Sequence, residues 1–219
     1  DLNYFVKLNA VKSKHACVIS GAGVEINKKF HNIKRKNKVP KVALVARMLK
    51  DKGIYEFFEA YKILKYKNIE CRFFLVGDVD PVNPSSIERK TLEGWHKEKE
   101  IEWLGWINDV ERILLEIDIL CLPSYREGLP KSLIEGAAAS LPIVTTDTVG
   151  CREVVKNGEN GYLVPIKDSE RLANAIEKLI LNRSLRELMG KESFKIASSK
   201  FSTLKINSQT IKVYNELLF

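Results

Sequence analysis

The chain has 219 residues, of which 45% are hydrophobic and 29% charged; this is the balance of a chain that buries a core, and the length suits one large or two small domains. No stretch approaches the roughly 18 consecutive apolar residues of a membrane span, and the first ten residues lack the basic-then-apolar layout of a secretory leader, so a cytoplasmic protein is expected. The cysteines Cys17, Cys71, Cys121 and Cys151 form no CxxC pair, which leaves zinc and redox chemistry without support and reads, at Cys71 and Cys121 above all, as small buried thiols in a reducing compartment.

The net charge of +8 is unevenly placed. Residues 1–40 contain one short apolar run at 16–19, then Gly21-Ala22-Gly23, then a basic stretch. Lys28, Lys29, Lys34, Arg35, Lys36, Lys38 and Lys41 follow one another with no acid between them. A solvated linker accounts for this composition; the functional alternatives are an anionic membrane surface or a polyanionic partner. Nucleic acid is not expected as a partner, because Phe30 is the sole aromatic residue among these charges.

From residue 41 onward a short apolar run, a turn and an amphipathic stretch recur. The apolar runs are 42–46, 72–76, 102–104, 117–122, 143–145 and 162–164. Most are continuous rather than alternating, as in strands covered on both faces of a parallel sheet. Between them, Ile54, Phe57, Phe58, Tyr61 and Leu64 make one helical stripe. Further helices are expected at 108–116, 130–139, 168–181, 184–199 and 203–218, the last with Ile206, Thr210, Val213 and Leu217 on one face. Strand and helix in alternation predict an α/β, Rossmann-like doubly wound parallel sheet, with ligands at the turns that follow the strands.

Those turns hold the candidate residues. Arg47 ends the first strand and Lys52 precedes the next helix, so the two can grip a diphosphate, Arg as a planar fork and Lys as a point charge. Neither a GxxxxGK[ST] loop nor a GxGxxG fingerprint is present. After the fourth strand, Glu127, Gly128, Leu129 and Pro130 lead into a helix that carries Lys131, Ser132, Leu133 and Glu135. Pro130 suits a first helical position, and the amides around Gly128, Leu129, Lys131 and Ser132 would point out of the helix N-terminus, where phosphate or sugar oxygens are attracted. Glu135 lies on an otherwise small, apolar helix, and vicinal ribose hydroxyls would satisfy it. Gly77 and Gly105 each follow a strand and permit close ligand approach. Trp103 and Trp106 suit either core packing or the flanks of a base. His15, His31 and His96 have no metal or triad spacing.

The ordered set VARMLKDKG, FFLVGD, WLGWINDV, REGLPKSLIEG and LPIVTTDTVGCREVVKNGENGYLVPIKD resembles the retaining GT-B glycosyltransferases of family 4, Glu127 and Glu135 matching their E-x7-E motif. The resemblance implies the C-terminal half of a GT-B fold that binds a nucleotide-sugar, in the first instance a UDP-sugar, for transfer with retention to a glycan or lipid-linked acceptor. Arg47 and Lys52 would hold the diphosphate and Glu127 the sugar hydroxyls, with the amides of Gly128 and Leu129. Glu135 would hold the ribose with Leu133 packed nearby, and the backbone of Leu104 and Gly105 would face the base. No metal and no cofactor is implied. Residues 1–40 resemble the end of an N-terminal half plus linker, 41–202 the nucleotide-sugar-binding domain and 203–219 a crossing helix. The chain is therefore expected to bind donor without turnover, the N-terminal domain being a missing partner, and to sit in the cytoplasm or at the inner face of the membrane through residues 28–41. A non-catalytic sugar-nucleotide-binding module of the same fold is the alternative.

Overall fold

Six apolar runs become strands, the inner ones covered on both faces and the edge strands β3 and β6 half-buried: β1 Lys41–Val45, β2 Arg72–Val76, β3 Glu102–Trp103, β4 Ile119–Leu122, β5 Ile143–Thr146 and β6 Gly161–Val164. All pair in parallel, in the order β3-β2-β1-β4-β5-β6. The chain winds outward from β1 in one direction and from β4 in the other, so a crevice opens over the carboxyl ends of these two strands. The computed structural model describes residues 2–13, 16–19, 21, 23–33 and 35–218. Of the residues singled out by sequence, His15, Ala22 and Lys34 lie outside that set.

The helices are α1 Leu2–Lys7, α2 Ile54–Tyr66, α3 Arg89–Lys97, α4 Val110–Glu116, α5 Lys131–Ala138, α6 Val149–Val154, α7 Ser169–Leu181, α8 Arg183–Lys200 and α9 Thr203–Leu218. The stripe Ile54, Phe57, Phe58, Tyr61 and Leu64 is buried as the spacing required. Burial of each such side chain contributes about 1.5–3 kcal/mol. Asp109, Asp168 and Asn182 accept amides of the first turns of α4, α7 and α8, each cap worth about 1 kcal/mol. Pro130 precedes α5 rather than opening it: its φ of −73° and ψ of 110° are extended, and its carbonyl accepts from Leu133 and Ile134. Three helices were not anticipated. Only Leu92 of α3 is buried, too thin a stripe to register as a pattern, and α1 and α6 have six residues each.

The basic stretch is more than a solvated linker. Arg35 inserts its guanidinium among carbonyls at the amino ends of the strands, Nη1 donating to Ser140 at 3.1 Å and Nη2 to Leu114 and Ala139 at 3.1 and 2.7 Å. Burial pulls its pKa down to about 10 and Asp118 pulls it back up, so it stays protonated at neutral pH. Asn37 reaches the same Asp118 carboxylate, and Val24 bridges to Ser202. Lys28, Lys29, Lys36 and Lys38 remain exposed. On α9, Ile206 is buried while Leu204, Ile211 and Tyr214 are exposed.

All four cysteines are free; Cys121 and Cys151 are buried, Cys71 is half-buried and Cys17 exposed. Burial pushes the Cys71 thiol up to about 11, with help from Glu70, and burial raises Cys121 and Cys151 as well. No helix among the described residues is long and apolar enough to cross a membrane.

Replacing Arg35 by Met leaves three carbonyls from two helix ends without their donor. The expected outcome is a loss of about 2–4 kcal/mol in urea unfolding, with Arg35→Lys intermediate because a single ammonium cannot reproduce the fork.

Candidate functional site

Three loops at the carboxyl ends of β1, β2 and β4 meet over the crevice, and two glycines allow them to come that close. Gly77, after β2, has a φ of 134°, and a Cβ there would collide with the Ala46 carbonyl after β1. Gly53 closes the 3-10 turn Lys50–Lys52 with a φ of 74°, and a Cβ there would collide with the Pro123 carbonyl after β4. Further ties fix the arrangement. Tyr125 donates its amide to the Asp51 carbonyl at 2.8 Å and its hydroxyl to Glu56 at 2.6 Å, and Ser124 Oγ donates to Asp51 at 3.0 Å. Burial raises the Tyr125 pKa, and the bond to Glu56 adds to the rise. Thr145 and Thr146 of β5 donate to the carbonyls of Leu122 and Ser124.

The resulting cavity measures about 870 Å³, ample for a drug-sized or nucleotide-sized ligand. Three cations line it, Arg47, Lys52 and Lys131, together with six carboxylates: Asp78, Asp80, Asp109, Glu111, Glu127 and Glu135. The site is thus no simple positive pit, because every one of these cations has a carboxylate against it. Lys52 Nζ lies 2.7 Å from Glu127, with side chains 19% and 11% exposed. Arg47 Nη1 lies 2.8 Å from Asp80, and Lys131 Nζ lies 3.3 Å from Glu135. Desolvation makes the Lys52–Glu127 pair the strong one, whereas the other two face water and contribute little to stability.

The expected residues divide into two groups. Arg47, Lys52, Gly77, Glu127, Pro130 and Glu135 line one cavity. Leu104, Gly105, Gly128, Leu129 and Leu133 do not line it. Leu133 is fully buried in the core, unlike Lys131, Ser132 and Glu135 of the same helix, which line the cavity. The backbone of Leu104 and Gly105 is engaged with the neighbouring strand's end, Leu104 donating to Leu75 and Gly105 accepting from Gly77. The carbonyls of Glu127 and Gly128 lie against Gly150 of α6, and Leu129 packs against the core. The amides of Gly128, Leu129, Lys131 and Ser132 donate no hydrogen bond among the described residues.

The two tryptophans have different roles. Trp103 is structural, its Nε1 donating to Gly77 at 2.8 Å with Arg89 over its ring. Trp106 stands at the cavity edge, 71% exposed, its Nε1 held by Asn108 at 2.8 Å. Sequence reasoning missed Asp80, Asn108, Asp109 and Glu111; their position after β2 and β3 is the signal that could have found them. Neither His31, packed on Phe194, nor His96, accepting from Trp103, belongs to the cavity. No group of three or more potential metal ligands occurs among the described residues.

Sheet order and loop placement define the Rossmann-like α/β class, as found in GT-B glycosyltransferases. The chain belongs to the family of glycosyl transferases group 1, which it matches over residues 25–196. It is 30% identical over 226 residues to the N,N'-diacetylbacillosaminyl-diphospho-undecaprenol alpha-1,3-N-acetylgalactosaminyltransferase of Campylobacter jejuni, covering 98% of this chain and 58% of that protein. Identity to the capsular polysaccharide biosynthesis glycosyltransferase CapM of Staphylococcus aureus is 29%, over 89% of this chain and 50% of CapM. The chain therefore spans about half the length of these relatives. HepE of Anabaena, solved in complex with UDP, shares the fold with a TM-score of 0.73 at 22% identity, over 81% of this chain and 49% of HepE.

Gly53→Ala should be costly, because it combines a left-handed backbone with a carbonyl clash. A loss of about 2–4 kcal/mol in denaturant unfolding is expected, whereas Gly94→Ala, where a Cβ meets open space in a helix, should gain about 0.5–1 kcal/mol.

Proposed function

We propose that the chain is the donor-binding half of a retaining, family-4-type glycosyltransferase that takes its sugar from a UDP-sugar and passes it to a glycan or lipid-linked acceptor. The observation that carries this reading is the gathering of Arg47, Lys52, Glu127 and Glu135 from successive strand ends into one cavity of about 870 Å³. The UDP bound to HepE, a protein of the same fold, adds support.

On this reading Arg47 and Lys52 bind the diphosphate and stabilise the negative charge that develops as the sugar–phosphate bond breaks. Their preorganised charge does this without a metal. Glu127 orients the sugar through its hydroxyls and Glu135 accepts from the ribose hydroxyls. The exposed face of Trp106 offers a platform for the base. The amides of Gly128, Leu129, Lys131 and Ser132 receive phosphate or sugar oxygens. Attack and departure take place on one face of an oxocarbenium-like sugar, which retains the anomeric configuration. The chain spans about half the length of its relatives, and on this reading it supplies the donor side of the reaction. The exposed lysines Lys28, Lys29, Lys36 and Lys38 support a peripheral contact with an anionic membrane at its cytoplasmic face, where a lipid-linked acceptor would be presented.

Calorimetry with UDP, GDP and their sugar conjugates tests the assignment. UDP should bind, and Arg47→Ala should weaken it about 10–100-fold, the range of a charge-assisted hydrogen bond. Absence of binding to every nucleotide overturns the donor site. Glu135→Ala should weaken UDP itself, whereas Glu127→Ala should chiefly reduce discrimination among sugars; equal losses for UDP in both variants contradict those roles. Supplying an N-terminal half should restore transfer, and failure across a broad acceptor panel would favour a binding module.

A further inference from the structure

The guanidinium of Arg47 is already occupied. Asp80 Oδ2 accepts from its Nη1 at 2.8 Å, and the Asp80 side chain is the more enclosed of the two, 21% exposed against 60%. The pair is more than a chance meeting of surface side chains, because the segment after Arg47 and the loop that carries Asp80 are stitched together. Met48 donates its amide to Asp78 at 3.0 Å, Lys50 to Ser85 at 2.8 Å, and Ile87 to Met48 at 2.8 Å. Leu49 and Ser86 form an antiparallel bridge. Within the loop, the Asp80 amide donates to Ser86 Oγ at 3.1 Å and its carbonyl accepts from Asn83 at 2.9 Å. The carboxylate is held beside Arg47 by backbone structure, and its side chain has no other hydrogen bond among the described residues.

The charge balance of the cavity gives this pair its significance. Six carboxylates and three cations line the cavity, and of the six only Asp78 is paired outside it among the described residues, with Arg89 at 2.7 Å; the excess of carboxylates opposes an anionic ligand unless its phosphates take over the cations. Glu127 and Glu135 have hydroxyl groups to receive when they part from their lysines, on the donor-site reading. Asp80 has no such compensation: it stands against Arg47 in the position of an anion and offers the ligand only repulsion.

We propose that Asp80 is a charge filter: it occupies Arg47 in the empty site, must be displaced by the ligand's phosphate, and so sets how negative a ligand has to be to bind. The proposal rests on the donor-site reading above. A diphosphate carries more than one negative charge and bonds a guanidinium fork better than a single carboxylate does, whereas a neutral ligand has nothing to exchange for the ion pair. Because both side chains meet solvent, the filter is modest. Pairs of this exposure weigh against a competing ligand by about two- to fivefold in affinity.

The test is a double-mutant cycle on the chain as it stands, with UDP titrated calorimetrically at fixed ionic strength into wild type, Asp80→Asn, Arg47→Ala and the double variant. Asp80→Asn preserves size and the backbone bonds of the loop, and matching thermal melting confirms an intact fold. The expected result is UDP binding two- to fivefold tighter in Asp80→Asn, with the gain lost in the Arg47→Ala background. UDP binding that is unchanged or weaker in Asp80→Asn, while wild type binds, overturns the filter alone and makes Asp80 a support that aims Arg47. An equal gain with and without Arg47 also overturns it, assigning the effect to the general field of the carboxylates. No UDP binding by wild type or by Asp80→Asn overturns the donor site and the filter together.

Discussion

The Lys52–Glu127 ion pair is the constraint on which the site depends. It joins the turn after β1 to the loop after β4 across the point where the strand order reverses. Both side chains are largely removed from water, so the pair is screened less than the two more exposed pairs of the cavity. The geometry around the pair follows from it. Gly53 lets the two loops touch, Tyr125 and Ser124 bind the Asp51 carbonyl, and the threonines of β5 hold the second loop from behind. A ligand that bridges the two loops would enter a place whose shape is already set, which lowers the ordering cost of binding.

The second organising element lies at the other end of the sheet. Arg35 gathers carbonyls from the ends of α4 and α5, and Asn37 and the Lys41 amide share the buried Asp118 carboxylate. These contacts fasten the approach to β1 and so fix where Arg47 emerges one strand-length away. The core between the two ends is apolar, with Val42, Ala43, Leu44, Ile119 and Leu120 wholly buried. Polar chemistry is thus confined to the rims, as a parallel sheet covered on both faces requires.

The fold was legible in the sequence because its signals were local. Continuous runs such as Phe73, Phe74 and Leu75 fit short strands buried on both faces, and the stripe from Ile54 to Leu64 has helical spacing. That Arg47, Lys52, Glu127 and Glu135 would share one edge was legible for the same reason: topology sends strand ends to one edge, and these four line one cavity there. Other features depended on contacts that local pattern does not encode. Arg35 reads as one more cation in a basic run, and only its distant carbonyl partners distinguish it. Leu133 and Glu135 are two residues apart, and nothing but the orientation of α5 decides that one is enclosed and the other faces the cavity. Asp80 sits in a proline-rich loop with no periodicity, and its pairing with Arg47 spans 33 positions of sequence.

The stitching between residues 48–50 and 85–87 has a kinetic consequence. Two backbone hydrogen bonds, which make the Leu49–Ser86 bridge, join the two segments, and a third ties Met48 to Asp78, so parting Arg47 from Asp80 by opening the loop would break them. Rotation of exposed side chains suffices to separate them, a picosecond-to-nanosecond event, whereas loop rearrangement belongs to nanoseconds and beyond. A ligand that exchanged with Asp80 at Arg47 would then need only this side-chain rotation and no loop opening.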